Sequence, residues 1–165
     1  MGATFSVIVP VLGEAALINR LVDHVRTVGY GRNVAILVVD GHPAATTLAA
    51  LDRPGVTALA APTGRARQMN AGAARSTGEV PVFLHADCAL PARAFDAMER
   101  VLARGRRAGA FDLDIRSGRL SLRLIARAAS LRSRITRVPY GDQALFMERR
   151  VFEALGGYAD IPILE

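Results

Sequence analysis

Three carboxylates, one imidazole and a pair of guanidinium groups stand just after short apolar runs. His85 and Asp87 follow Val80-Pro81-Val82-Phe83-Leu84. A continuous apolar run bounded by a turn signal reads as a strand buried on both faces, with its last polar residues at the rim of the sheet. A carboxylate there is a hard oxygen ligand, and Asp87 can hold a divalent cation. The plainer role for Asp87 is a cap on the helix after Pro91. Glu14 follows the run Phe5 to Leu12, and Asp40-Gly41 closes Val34 to Val39. Arg65, Arg67 and Asn70 come after Val56 to Ala60 and the turn Pro62-Thr63-Gly64. Cations in the first turn of a helix oppose its dipole by about 0.3–1 kcal/mol, a cost that a bound phosphate would remove. Each cluster also has a dull reading: Asp40 as a turn residue, and Arg65 and Arg67 as a solvated helix start.

The clusters can meet only if the runs are parallel strands, because carboxyl ends then share one edge of the sheet. The intervening segments support this. Leu17, Ile18, Leu21, Val25 and Val28 recur at helical spacing within 14–28, and Gly29 and Gly31 close that helix. Short helices are expected at 46–51 and 65–75, with Met69 and Ala73 on one face of the second. Another runs from Pro91 to about Arg104, opened by a proline at a position helices tolerate. Strand and helix alternating through Leu102 predict an α/β fold with right-handed crossovers. No internal repeat or low-complexity linker interrupts it.

Beyond Leu102 the pattern changes. Ala108 to Ile115 alternates with period two, which predicts a half-exposed strand. Leu120 to Val138 predicts a long helix. Leu120, Leu124, Ala128, Leu131 and Ile135 form its apolar stripe, and Arg119, Arg123, Arg127 and Arg134 a basic one. The plain reading is a surface helix packed on the sheet. The other is peripheral docking of 119–137 to anionic lipid. Pro139-Tyr140-Gly141 breaks the helix, a short strand is expected at 143–147, and a short helix at 150–155.

Composition narrows the classes. The 165 residues are 51% hydrophobic, enough for one domain with a core. The single cysteine, Cys88, excludes an internal disulfide and a cysteine-based zinc site. All 21 basic residues are arginine, and the net charge is +6. The absence of lysine and the many alanines point to compositional bias. The charge still favours anionic partners, either nucleotide phosphates or an acidic membrane surface. Few aromatics and no nucleic-acid motif argue against nucleic acid. No apolar run approaches the roughly 20 residues of a membrane span. The N-terminus shows no basic leader, so a cytoplasmic location is expected. There is no G-x-G-x-x-G, Walker loop or G-x-S-x-G elbow. His24, His42 and His85 lack the spacing of a metal pair.

The residues also carry a resemblance. Ser6-Val7-Ile8-Val9-Pro10 with Glu14, Val38-Val39-Asp40-Gly41, and His85-Ala86-Asp87 resemble the family 2 glycosyltransferases of GT-A fold. Gly64 to Ala73, with Tyr140 to Phe146 and Pro162 to Glu165, is similar to the bacterial branch described as radical-SAM/selenodomain-associated transferases. The resemblance covers nearly the whole chain, and its most specific part is Arg65 to Ala73.

It implies a GT-A-like sandwich over residues 1–165, a mostly parallel sheet with helices on both faces, lacking its C-terminal part. It implies an inverting, metal-assisted transferase that uses a nucleotide-diphosphate sugar with Mg or Mn. Pro10, Glu14 and Asp40 would hold base and ribose. Arg65, Arg67 and Asn70 would line the nucleotide pocket, beside His85. Asp87 would match the last acid of the D-x-D motif and bind the metal. Asp142 and Glu165 would lie on the acceptor side as the catalytic candidates. His85 stands where the family commonly has the first Asp, so metal binding would rest on Asp87. His42-Pro43 stands where Gly-Ser is common. The chain stops at Glu165, where the family motif continues with the Asp usually taken as catalytic base. An apolar patch near 161–164 would then be exposed and favour homo-oligomers. The rival class is a nucleotide-binding or membrane-peripheral module without transfer chemistry.

Overall fold

The computed structural model describes residues 2–114, 120–136 and 143–161. Four strands are parallel: β1 (Phe5–Val11), β2 (Val34–Asp40), β3 (Thr57–Ala60) and β4 (Val80–Phe83). Two short strands, β5 (Ala108–Gly109) and β6 (Leu145–Met147), complete a six-stranded sheet of order β3-β2-β1-β4-β6-β5. β6 runs antiparallel to both β4 and β5. The chain winds outward from β1 to β2 and β3, then returns to the other side of β1 to lay down β4. The crevice beyond the carboxyl ends of β1 and β4 is therefore the topological switch point, where open α/β sheets bind ligands.

β1 reads as an unbroken apolar run because both of its faces are covered. Phe5, Val7, Val9 and Val11 face helices α1 (Ile18–Val28) and α4 (Ala94–Ala103), meeting Leu21, Val22, Val25, Phe95 and Met98. Ile8 faces the other layer with Leu37, Val39 and Phe83, against Met69 and Ala73 of α3 (Arg65–Arg75) and Phe152 of α6 (Arg149–Ala154). Helix α3 lies very close to the sheet. A Cβ on Gly72 would sit 2.5 Å from Ile8 Cγ2 and 3.0 Å from Val39 Cγ2. The one polar residue inside β1, Ser6, is buried, and its hydroxyl accepts the Gly78 N–H at 2.9 Å.

Several elements are shorter than the sequence pattern predicts. Helix α1 starts at Ile18 because the backbone after Glu14 forms a turn, with Leu17 N–H donating to Glu14 O at 2.9 Å. Pro91 opens a turn, not a helix: Ala94 N–H donates to its carbonyl, and α4 begins at Ala94. The strand expected over 108–115 pairs only at Ala108–Gly109. Its partner β6 has just three residues, and beyond it the backbone finds other acceptors. Phe111 N–H donates to Gln143 O at 2.7 Å, and Leu113 N–H donates to the Ser130 hydroxyl at 2.9 Å. Ile115 lies outside the described residues.

Helix α5 (Leu120–Thr136) forms where the periodicity placed it, but its packed side is the small polar one. Ala126 and Ser130 are buried, and the Ser133 hydroxyl donates to Gln143 Oε1 at 2.6 Å. Ala128, Leu131 and Ile135, three members of the apolar stripe, face outward.

Candidate active site

A cleft of about 730 Å³ opens beyond the carboxyl end of β4. It is lined by Leu84 and Asp87 from the β4 end, by Phe111, Asp112, Leu113 and Asp114, and by Gln143 and Ala144. Asp87 is exposed, and the Cys88 thiol lies 3.5 Å from its Oδ1. It does not cap α4, whose N-terminus carries no side-chain cap. The plainer role for Asp87 is thereby set aside, and its side chain lines the cleft.

The Gln143–Ala144 part of the lining is held firmly. Gln143 is 3% exposed, takes the Ser133 hydroxyl and donates to Phe111 O at 3.1 Å. Ala144 follows in the left-handed region at φ 47°, which costs a residue with a Cβ roughly 1–2 kcal/mol. Arg134 of α5 donates through Nε to Asp112 Oδ1 at 3.1 Å, and this bond raises the arginine above its ordinary pKa.

Among the described residues no three His, Cys, Asp or Glu side chains stand close enough to hold a metal ion alone. A cation at Asp87 would need oxygens from a ligand as well. That is how Mg²⁺ is commonly bound, by one or two carboxylates plus substrate phosphates. Asp87 would supply one carboxylate to such an ion.

The other expected site residues are placed differently. Asp40 is fully buried at the end of β2. One oxygen accepts the His42 N–H at 2.8 Å, and the other accepts Thr47 and Leu48 N–H at 2.9 and 3.2 Å. Its carboxylate organises the loop into α2 (Thr46–Ala50) and offers that loop, not its own oxygens, to the surface. The Glu14 carboxylate turns back to accept the Leu12 N–H. Pro10 is buried within β1, beside Val39. Asn70 is held by Tyr158: its Nδ2 donates to Tyr158 O at 2.8 Å, and its Oδ1 accepts Tyr158 N–H at 2.9 Å. Arg67 pairs with Asp160 at 2.8 Å, with both side chains about half exposed. Arg65 is exposed at the first position of α3, and His85 is half-buried directly after Leu84. Asp142 and Glu165 lie outside the described residues. Of the expected set, Asp87 lines the cleft.

Gln68 is a site-shaping residue that sequence reasoning passed over. It is 3% exposed, and its Nε2 donates to Val11 O at 2.7 Å and Val39 O at 2.8 Å. It thus ties the ends of β1 and β2 together just below the switch point. A Cβ on Gly41 would lie 2.7 Å from Gln68 Cδ, so glycine is needed there for the amide to pass. The signal was available: Gln68 sits four residues before Gly72, on the buried face with Met69.

Sheet order and the helices on both faces define an α/β domain with a cleft beyond the end of β4. The sequence matches glycosyl transferase family 2 over residues 6–138, and the chain belongs to that family. Solved structures of glycosyltransferases share its fold. A mannosyltransferase from Pyrobaculum calidifontis, in complex with GDP-Man and Mn2+, superposes with TM-score 0.71 at 22% identity over 97% of this chain and 48% of its own. S. aureus TarS 1–349 gives 0.72 at 15%, over 95% and 50%. Glucosyl-3-phosphoglycerate synthase from Mycobacterium tuberculosis, with Mn2+, UDP and phosphoglyceric acid, gives 0.62 at 20%, over 92% and 57%. The chain spans about half the length of these proteins. No curated protein matches the sequence. No described helix is long and apolar enough to cross a membrane.

Proposed function

We propose that this domain binds a nucleotide-diphosphate sugar across the carboxyl ends of β1 and β4 and transfers the sugar with inversion to an acceptor entering the 730 Å³ cleft. The observation that carries this is Asp87, exposed at the switch point and lining the cleft. Asp87 would share a Mg or Mn ion with the donor diphosphate, and that ion supplies positive charge against the departing phosphates. Glu14 and Asp40 act on the base and ribose by holding the loops around them, since both carboxylates accept backbone N–H groups. Arg65 and Arg67 at the start of α3 bring positive charge to the same edge of the sheet. Asp142 and Glu165 are proposed for the acceptor side. The resemblance carried by Gly64 to Ala73 favours the radical-SAM/selenodomain-associated branch.

Thermal-shift and calorimetric titrations with UDP and GDP, with and without Mn²⁺, test the reading. Specific binding raises stability by about 2.7 kcal/mol at a hundred times Kd. The expected result is a metal-dependent shift that Asp87→Ala removes. Equal behaviour with and without metal, in wild type and variant alike, overturns it.

A further inference from the structure

The outward face of α5 joins exposed aliphatic side chains to a row of cations. Ile125, Leu131 and Ile135 are 56%, 59% and 72% exposed. Arg127 and Arg134 are exposed beside them. Between positions 115 and 141 there are seven arginines and no acid. An aliphatic face edged by cations is the pattern of a helix lying in a membrane interface, with arginine stems along the acyl boundary and guanidinium groups at the headgroups.

Other occupants fit less well. A second copy would bring two arginine-rich helices against each other, and like charges facing across an interface are costly. A nucleic acid would be expected to meet aromatic stacking platforms, and this face offers aliphatic side chains. Negatively charged lipid satisfies both halves of the surface at once. We propose that α5 docks the domain on an anionic bilayer through Ile125, Leu131 and Ile135, with Arg127 at the headgroups.

The inward side of the same helix is part of the cleft's support. Ser130 binds the Leu113 backbone, and Arg134 binds Asp112; both Leu113 and Asp112 line the cleft. Docking would therefore lay the cleft beside the membrane surface, where an acceptor anchored in lipid can reach it; this last step alone rests on the glycosyl-transfer reading.

The chain has no tryptophan, so a single introduced one is a clean probe. Co-sedimentation with phosphatidylcholine vesicles, and with vesicles containing about a third phosphatidylglycerol, is measured at low and high salt. Binding is expected only with the anionic lipid, and is expected to fade as the Debye length shrinks below about 10 Å. Leu131→Glu and Ile135→Glu should each lower partitioning about tenfold or more, and Arg127→Glu by a similar factor. Leu155→Glu, at an apolar residue 70% exposed and outside α5, should not. Ile135→Trp should show a blue-shifted emission with anionic vesicles. Failure to bind at low salt, binding that ignores Leu131 and Ile135, an unshifted emission from the Ile135→Trp variant, or a dimer that the glutamate substitutions dissolve would each overturn the proposal. Nucleotide titration of the same variants reads the donor site separately: retained nucleotide binding with lost lipid binding leaves the function reading intact.

Discussion

The loops after β2 and β3 leave the same sheet edge as the loop after β4, and all carry polar residues of similar type. On the β2–β3 side those groups are occupied within the protein. Asp40 accepts three backbone N–H groups, Gln68 donates to two strand-end carbonyls, and Asn70 brackets the Tyr158 peptide. Arg67 is paired with Asp160. On the β4 side Asp87 and Asp114 line an open cleft, together with Asp112, which is paired with Arg134. The difference lies in what faces each side chain. Next to β2 and β3, helices α2 and α3 and the Tyr158 segment supply peptide groups within reach. Beyond β4 the sheet turns antiparallel and thins to three-residue and two-residue strands, leaving a gap between the described elements. One arm of the site is built from satisfied polar groups that fix shape, and the other from a carboxylate left available for a ligand.

The sharpest way to break this comparison is Asp87→Ala. If the open arm carries the chemistry, nucleotide-sugar turnover should fall by about 10²–10³, or roughly 3–4 kcal/mol in the barrier, with the melting temperature nearly unchanged. Loss of folding with no separate loss of activity would place Asp87 in the closed arm instead. Asp40→Ala should do the reverse. It strands one buried N–H donor, where an unsatisfied group costs about 1–3 kcal/mol, and two part-buried ones that cost less, so a net loss of about 2–4 kcal/mol is expected by urea denaturation. An unchanged denaturation midpoint would show that water replaces the carboxylate.

Smaller effects sharpen the same contrast. Asn70→Ala removes both bonds to Tyr158, whose ring packs on Phe83 with centroids 4.9 Å apart and whose buried phenol is held well above its ordinary pKa. The expected cost is about 1–2 kcal/mol, with nucleotide affinity preserved in calorimetry. A large loss of affinity at unchanged stability would move Asn70 into the donor pocket. The smallest effect is expected at Arg67→Ala. Its partner Asp160 is 57% exposed, and such pairs contribute about 0–1 kcal/mol. A marked fall in nucleotide affinity there would show that the guanidinium leaves Asp160 for phosphate when the donor binds.

Apolar and amphipathic patterning dictated the elements and their order. Apolar runs such as Val7 to Val9 and Val80 to Phe83 must be buried on both faces, and amphipathic segments between them must cover those faces, so a parallel α/β sheet is legible in the sequence. The sequence also drew attention to Asp87, a carboxylate just after a doubly buried strand, without separating it from Asp40 at the end of β2. Tertiary structure alone decided which polar residues face a ligand and which face the protein. Asp40 and Asn70 look as available as Asp87 in sequence, but their partners come from α2 and from a peptide 88 residues away. The same holds for α5. Periodicity drew an apolar stripe without saying which side would meet the body. The small side chains Ala126 and Ser130 permitted close approach and hydrogen bonds to the cleft wall, which left Leu131 and Ile135 outside. Local pattern fixes burial where nearly every side chain in a run is apolar; where apolar and polar choices are balanced, the neighbours that offer hydrogen-bond partners decide.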